Sequence, residues 1–281
     1  MTHALTYDDI VNGLDTLPPL PATVLELLRI VDDDDVGITE LAQKVTQDAD
    51  LTAKTLRLAN SSLYGLPGEV VTLQQTIGYL GFPTTRSLIK AVAVTRCFAD
   101  RSCAGFNHEA FWRHSIASAI CAKLLARHAR FNQDYAFTAG LLHDIGRLVL
   151  VGGFPRHYEQ VLAWRRQYDV VLLEAERQVL GIDHVEAGLA LAEHWHFSDT
   201  MRLAIGGHHA PEQAGAEFLA TIVHVADAIA HALDLARMDD ELVPPLSEAA
   251  WNQLRLDDGI CHQLFRETER QYEEIAQVLL P

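Results

Sequence analysis

The chain has 281 residues and a formal net charge of −16, with 49% apolar and 21% charged residues. This composition is typical of a globular protein with a substantial core, and no apolar run approaches the roughly 20 residues that cross a bilayer. Both halves of the chain are acidic, which disfavours nucleic-acid binding because phosphate contacts need a cationic surface. The four cysteines lack CxxC spacing and the N-terminus lacks signal-peptide features, so we expect reduced thiols and a cytoplasmic protein without membrane contact.

Helical spacing recurs in the first hundred residues, where no segment alternates as a strand would. After a helix at 7–14, the prolines of 17–21 predict an extended connector, and Pro21 opens a second helix. Further predicted helices are 40–47 and 49–62, capped by Thr39 and Asp48, one from a capping box at Thr72–Gln75 to Gly81, and one from Phe82 to about Asp100. The short pair 40–47 and 49–62 also allows a helix-turn-helix, but only Lys54 and Arg57 are basic there, so plain helix packing is favoured.

The polar segment 101–105 predicts a boundary between two lobes, 1–104 and 105–281. Beyond it, Asn107 caps a long helix and Asp134 caps a helix that contains His143 and Asp144. The helices predicted in this lobe are 108–129, the one capped by Asp134, 155–167, 172–180, 184–195, 200–207, 217–236 and 257–279. The predicted fold class is therefore all-α, a two-lobed multi-helix bundle.

The segment Ala139–Arg147 carries the adjacent pair His143 and Asp144 between apolar neighbours. Burial of an imidazole beside a carboxylate costs free energy unless a partner satisfies both groups. A bound metal ion would satisfy them, and so would a tight hydrogen-bonded pair. The pair by itself leaves both explanations open.

Histidines and aspartates on different predicted helices form a series along the second lobe. In chain order they are His114, His143 with Asp144, His184, His208 with His209, and Asp227. Imidazole and carboxylate ligands suit Fe, Mn, Mg, Zn or Ni rather than a thiolate-bound structural zinc. An ion with open positions would bind phosphate oxygens and a water of lowered pKa, which favours hydrolysis of a phosphoester.

Each member of the series also has a structural explanation. A lone helical histidine such as His114 is usually a satisfied core or surface residue. The pair His208–His209 ends a helix, where an imidazolium would complement the helix dipole. Asp227 shares a helical face with His224 and His231, so a polar network within that helix would explain it. The order of the series, rather than any single residue, favours a metal site.

The series His114, His143-Asp144 and Asp227 resembles the motif of the HD superfamily, whose members use it to hold a metal for phosphohydrolysis. The additional His184, His208 and His209 resemble the ligands that HD-GYP cyclic-dinucleotide phosphodiesterases use for a second metal. Three N-terminal segments, Leu17–Pro21, Leu56–Ser61 and Thr76–Gly81, resemble the HDOD family of HD-related output domains in bacterial signalling proteins. The resemblance extends from about residue 15 to about residue 235.

The resemblance implies an HD-like C-terminal lobe in a stand-alone regulatory module that binds a signalling partner protein, a nucleotide, or both. It also implies a mononuclear or dinuclear metal centre. One ion would be bound by His114, His143, Asp144 and Asp227, and another by His184, His208 and His209, with Asp144 as the bridge. The alternative is a metal-dependent phosphohydrolase of nucleotide or cyclic-nucleotide phosphoesters, in which Asp144 and Arg147 serve catalysis and Arg147 clamps a phosphate.

Two departures from HD-GYP enzymes weigh against catalysis. No Gly-Tyr-Pro follows His208-His209, which disfavours cyclic-di-GMP hydrolysis. Arg147 stands four residues after His143, where those enzymes typically carry lysine. Arginine binds phosphate but is too basic to donate a proton. Whether the protein is an enzyme therefore stays open at the level of sequence.

Overall fold

The computed structural model describes residues 4–14, 38–97, 103–213, 218–237 and 242–280. All regular elements in these ranges are α-helices, which confirms the predicted all-α fold class. The helices are α1 (Tyr7–Leu14), α2 (Ile38–Thr46), α3 (Ala49–Ala59), α4 (Leu73–Leu80), α5 (Phe82–Cys97), α6 (His108–His128), α7 (Gln133–Leu142), α8 (Ile145–Gly153), α9 (Pro155–Tyr168), α10 (Leu172–Leu180), α11 (His184–His194), α12 (Asp199–Gly207), α13 (Phe218–Ala232), α14 (Glu248–Leu254) and α15 (Asp258–Leu279). In the described part of the chain no single helix has the length and apolar character to cross a bilayer, although α7–α8 with α9 pass that test together as a bent pair.

The chain forms two compact units. The first comprises Met1–Pro19 with Asp100–Phe265, and the second comprises Leu20–Ala99 with Arg266–Pro281. The division between the two units at residues 99 and 100 lies near the predicted boundary after residue 104. The chain ends are grouped differently from the predicted lobes, because α1 packs on α8 and α11 within the first unit.

In the first unit, α6 is the central helix. It packs against α7 and α13, which also contact each other, and most of its side chains from Ala110 to Ala126 are buried. The backbones of α6 and α7 approach closely at Gly140, where a Cβ atom would lie 2.8 Å from the Ser118 carbonyl oxygen. This arrangement brings the middle of α6, the end of α7 and the middle of α13 together in the core.

A second close approach joins α8 to α11. At Gly146 a Cβ atom would lie 1.9 Å from the His184 carbonyl oxygen and 2.4 Å from the Gly188 amide nitrogen. Only glycine permits this separation, because any side chain would overlap backbone atoms of α11. The first turn of α8 is thereby held directly against the first turn of α11.

The second unit is built from α2 to α5 and the last part of α15. Within it, α3 and α4 pack against α5, and α2 packs against α3. Asn60, just after α3, donates from Nδ2 to the Val70 carbonyl oxygen at 2.8 Å and accepts from the Val70 amide at 2.7 Å. These two bonds close the loop between α3 and α4, and they give Asn60 a structural role.

Three predicted helix caps are confirmed. Asp48, Thr72 and Asn107 each accept a hydrogen bond from a backbone amide of the first turn, at 3.0, 3.1 and 3.0 Å. The capping box at Thr72 is incomplete, because Gln75 accepts from the Val71 amide instead of the Thr72 amide. The Gln75 side chain still satisfies the Val71 amide, which has no partner within the helix.

Other predicted boundaries are wrong. The residue that caps α7 is Asn132 rather than Asp134, and its Oδ1 accepts two amide hydrogen bonds at 3.0 Å. Thr39 is not a cap, because α2 begins one residue before it. The short helix α14, capped by Ser247, was not predicted. The predicted connector at 17–21 and the helix that follows it lie outside the described residues.

The replacement Gly146→Ala should destabilise the protein by about 3 kcal/mol or more, because the new methyl group would overlap backbone that cannot move aside. Gly153→Ala in the same helix is the matched control, since nothing lies within 4 Å of a Cβ atom there. Urea unfolding followed by circular dichroism measures both. Equal stability of the two variants would show that α8 and α11 are farther apart than described.

Lys123 gives a test of pH dependence. It is 6% exposed on α6, and burial lowers its pKa from 10.5 to about 8, opposed by Asp134. Between pH 8 and 10.5 the unfolded chain therefore binds more protons than the folded protein, so the contribution of Lys123 to stability rises with pH in that window. Lys123→Met should stabilise the protein at pH 7 by up to roughly 3 kcal/mol. Its advantage should shrink between pH 8 and 10.5 in chemical unfolding, and parallel pH profiles would contradict this.

Candidate metal centre

His143 and Asp144 occupy a break between α7 and α8, not the middle of one helix as predicted. His143 follows the last residue of α7, and its Nδ1 donates to the Gly140 carbonyl oxygen at 2.7 Å. Asp144 precedes α8, and its side chain makes no capping hydrogen bond. The break leaves His143 Nε2 and the Asp144 carboxylate available to the site.

Four residues from α6, α13 and the break form the first cluster, namely His114, His143, Asp227 and His231. Asp227 Oδ1 lies 2.9 Å from His114 Nε2, 3.4 Å from His143 Nε2 and 3.3 Å from His231 Nε2. The two imidazole nitrogens of His114 and His143 are 3.4 Å apart. Ligand atoms bound at about 2.1 Å around one ion are separated by about 3.0–3.4 Å. The distances among His114, His143 and Asp227 therefore fit a common ion, and His231 forms a second candidate group with His114 and Asp227.

The second cluster consists of Asp144, His184, His208 and His209. It joins the break to the start of α11 and the end of α12. Asp144 Oδ1 lies 3.2 Å from His184 Nε2 and 3.5 Å from His208 Nε2, while His184 Nε2 lies 3.0 Å from His209 Nε2. Asp144 Oδ1 also lies 3.7 Å from His143 Nε2, so this carboxylate stands between the two clusters.

The hydrogen bonds of the imidazoles fit a cation better than a purely hydrogen-bonded network. His143 and His208 donate from Nδ1 to backbone carbonyl oxygens, and His184 Nδ1 faces a carboxylate, so the Nε2 atoms are left to point inward. His208 Nε2 is buried and has no hydrogen-bond partner among the described residues. A metal ion would satisfy this nitrogen and the facing Nε2 atoms together.

The charges around the carboxylates keep them ionised. Burial alone would raise the pKa of Asp144, but His143, His184 and Arg147 outweigh it and hold that pKa well below its ordinary value. Asp227 has a similarly depressed pKa, because His231 and the other imidazoles outweigh its burial. Both carboxylates are therefore in the form that binds a cation.

The imidazoles of the second cluster are in contrasting states. Burial lowers the pKa of His208 and, together with His208 and His184, holds the pKa of His209 well below its ordinary value. Both side chains are neutral at pH 7, so the helix-dipole explanation of this pair loses its imidazolium. For His184, Glu176 and Asp144 overcome the opposing effect of burial and raise the pKa to about 9.

Arg147 is held by the site rather than free within it. Its Nη1 donates to Asp144 Oδ2 at 2.9 Å, and its guanidinium lies 5.8 and 5.5 Å from the ring centroids of Phe106 and Phe111. The residue is only 4% exposed. Its role as a phosphate clamp stays a prediction. Nη1 already donates to Asp144, so this nitrogen is engaged within the site.

As an alternative to a metal site, the sequence predicts a polar network of Asp227 with His224 and His231 within α13. His231 does contact Asp227, but it also stacks at 4.2 Å on His114, so it belongs to the first cluster. The proposed third member, His224, points elsewhere. It donates from Nδ1 to the His208 carbonyl oxygen and accepts from the Ser247 amide. The spacing of four residues predicts that Asp227 and His231 lie on the same face of α13. It does not predict that this face packs against His114 of α6.

A small, partly open cavity of about 60 Å³ lies against both clusters. Its polar lining includes Asp144, Arg147, Arg165, His184, His209, Asp227 and His231, and its apolar lining includes Val171, Leu172, Leu173 and Pro244. One water needs at least roughly 10–15 Å³ of such space, and a drug-sized ligand occupies several hundred. The cavity accommodates a few waters or a small oxyanion, but not a nucleotide.

Comparison with known proteins identifies the family of this chain and solved structures with a similar fold. Residues 17–211 match the model of the family described as HDOD domain. A crystal structure of an HDOD domain protein with unknown function from Geobacter sulfurreducens is 26% identical with a TM-score of 0.81, and the match covers 98% of both chains. A structure from Shewanella amazonensis SB2B, named "Putative phosphohydrolase", is 29% identical with a TM-score of 0.77, covering 96% of this chain and 98% of that one.

A curated relative gives less functional information. An uncharacterized protein of Treponema pallidum (strain Nichols) is 23% identical over 221 residues, which are 78% of this chain. The match covers 42% of that protein, so the chain spans less than half the length of this relative.

Protein purified without chelator should contain more than half an equivalent of Fe, Mn, Ni or Zn by elemental analysis. His143→Ala should lower the affinity for that metal at least about tenfold, because it removes one inward-facing nitrogen. His194→Ala, an exposed histidine at the end of α11, should bind like the wild type. A metal-free protein whose His143→Ala variant is equally stable would contradict a metal centre here.

Proposed function

Because the chain belongs to the HDOD domain family, we propose that it is a regulatory module of bacterial signal transduction that holds a divalent metal centre. The observation that supports this most is the convergence of buried imidazoles and carboxylates on a small cavity of about 60 Å³. Such a site can bind an ion and report its presence through the packing of the helices that supply the ligands. The cytoplasmic location expected from the sequence is part of this proposal.

The residues of the two clusters would hold the metal. One ion would be bound by His114, His143 and Asp227, with His231 as a further ligand, and a second by His184, His208 and His209. Asp144 lies between the two sets and is suited to bridge them. An ion held by imidazole and carboxylate ligands would be Fe, Mn, Ni, Zn or Mg. When bound, it would act as a Lewis acid towards oxygen ligands.

The size of the cavity separates this function from that of a nucleotide hydrolase. A nucleotide needs a pocket of several hundred cubic ångströms, whereas the space beside the clusters is about 60 Å³. Apolar side chains from the start of α10, together with Pro244 and Pro245, line it. A regulatory role needs only metal occupancy, and we propose that the signal passes to a partner protein. A nucleotide, if it binds, would bind elsewhere on the surface.

One observation favours the second candidate, a metal-dependent phosphohydrolase. The carboxylate of Asp144 is placed between the clusters, as a bridging ligand of a two-ion site would be, and Arg147 and Arg165 line the same cavity. Two ions with nearby arginines stabilise the charge that develops on a phosphoryl group. The likeness to a structure named as a phosphohydrolase supports the same candidate.

The regulatory role predicts no turnover in a screen of phosphoesters, nucleotides and cyclic nucleotides with Fe, Mn, Ni, Zn or Mg supplied in turn. The physical reason is that the cavity excludes a nucleotide while the metal stays bound. Phosphate release is measured for the wild type and for Asp144→Asn, which keeps the shape but removes the charge. Wild-type turnover that Asp144→Asn loses would overturn the regulatory proposal in favour of the hydrolase.

A further inference from the structure

Glu176 is a completely buried carboxylate that belongs to neither cluster. It lies on α10 with 0% exposure. Tyr158 donates its hydroxyl to Oε1 at 2.9 Å, and Oε2 accepts from the His184 amide at 2.9 Å and faces His184 Nδ1 at 2.5 Å. Burial of a carboxylate costs several kcal/mol unless hydrogen bonds compensate it, and these three contacts surround both oxygens. The group is therefore held in a fixed position against His184.

The contact with Glu176 decides what His184 presents to the site. With a proton on Nδ1 directed to Glu176, the opposite nitrogen Nε2 faces Asp144 Oδ1 at 3.2 Å and His209 Nε2 at 3.0 Å. His143 and His208 are oriented differently, because their Nδ1 atoms donate to backbone carbonyl oxygens. A carboxylate partner makes an imidazole a stronger donor to a metal than a carbonyl partner does. Among these three histidines, only His184 has that advantage.

The series of interactions continues to Asp144. The guanidinium of Arg147 interacts electrostatically with the hydroxyl of Tyr158, and its Nη1 donates a hydrogen bond to Asp144 Oδ2 at 2.9 Å. The order of contacts is Asp144, Arg147, Tyr158, Glu176 and His184, so the series starts and ends on members of the second cluster. All five side chains are buried, and each is at most 5% exposed. Asp144 and His184, at the two ends, are therefore held by buried partners.

We propose that Glu176, Tyr158 and Arg147 are positioning residues that hold His184 and Asp144 in the geometry needed for a metal ion in the second cluster. This inference rests on the proposed metal centre. It assigns Arg147 to the orientation of a ligand carboxylate, and it gives two buried polar residues outside the His/Asp series a function. The affinity of the second cluster for its ion then depends on Glu176, Tyr158 and Arg147. No residue of the first cluster contacts Glu176 in the hydrogen bonds described above.

The test compares Glu176→Gln with Glu174→Gln in the whole 281-residue chain. Both variants remove one negative charge from α10, but Glu174 is exposed whereas Glu176 is buried against His184. After metal removal by chelation, Co²⁺ is titrated in, and both the visible absorption and the number of bound ions are measured. Glu176→Gln should weaken one binding step by about tenfold to a hundredfold. Glu174→Gln should bind like the wild type.

Tyr158→Phe keeps the ring and removes only the hydroxyl, so it provides a second variant if Glu176→Gln fails to fold. It should weaken the same binding step by a smaller factor and leave any other step unchanged, which a general loss of stability would not do. If the wild type binds Co²⁺ and neither variant changes its affinity, the positioning role is wrong and the metal centre stands. If the wild type binds no Co²⁺, Mn²⁺ or Zn²⁺, both proposals are overturned.

Discussion

The burial of the Asp144 carboxylate is the constraint on which the site depends. An ionised carboxylate that is only 5% exposed loses most of its hydration, and this loss must be offset by nearby positive charge or a bound cation. Arg147 supplies one contact at 2.9 Å and His184 another at 3.2 Å. Those contacts require α8 and α11 to touch, and Gly146 is the residue that permits it. The close packing of α8 on α11 is therefore a condition for the electrostatic stabilisation of Asp144.

The two clusters differ in how their ligands are fixed. His143 and His208 are oriented by carbonyl oxygens of their own helix ends, so their direction follows from the backbone. His184 is oriented by Glu176, a side chain on another helix. A ligand held by backbone keeps its direction as long as its helix end is formed. A ligand held by the side chain of another helix also depends on the position of that helix, here α10 with Glu176. If the proposed metal centre is regulatory, this difference would link metal binding in the second cluster to the position of α10.

The sequence located most helices because their signals are local. Asp48, Thr72 and Asn107 were identified as caps from the few residues around them, and the structure confirms each. The local rule failed at α7, where Asn132 and Asp134 are both good capping residues and only the fold selects the first. It failed again at His143-Asp144, because apolar neighbours indicate burial in a helix and in a buried break equally well.

The sequence by itself determined that the protein is helical, and it determined the order of histidines and aspartates that supplies most of the site. The tertiary structure decided which of them meet. It brought His231 into the first cluster and directed His224 away, although both lie on the helix face of Asp227. It also placed Glu176 behind His184. The physical reason is that helical periodicity fixes the face on which a residue lies, while the partner of that face depends on how distant helices pack.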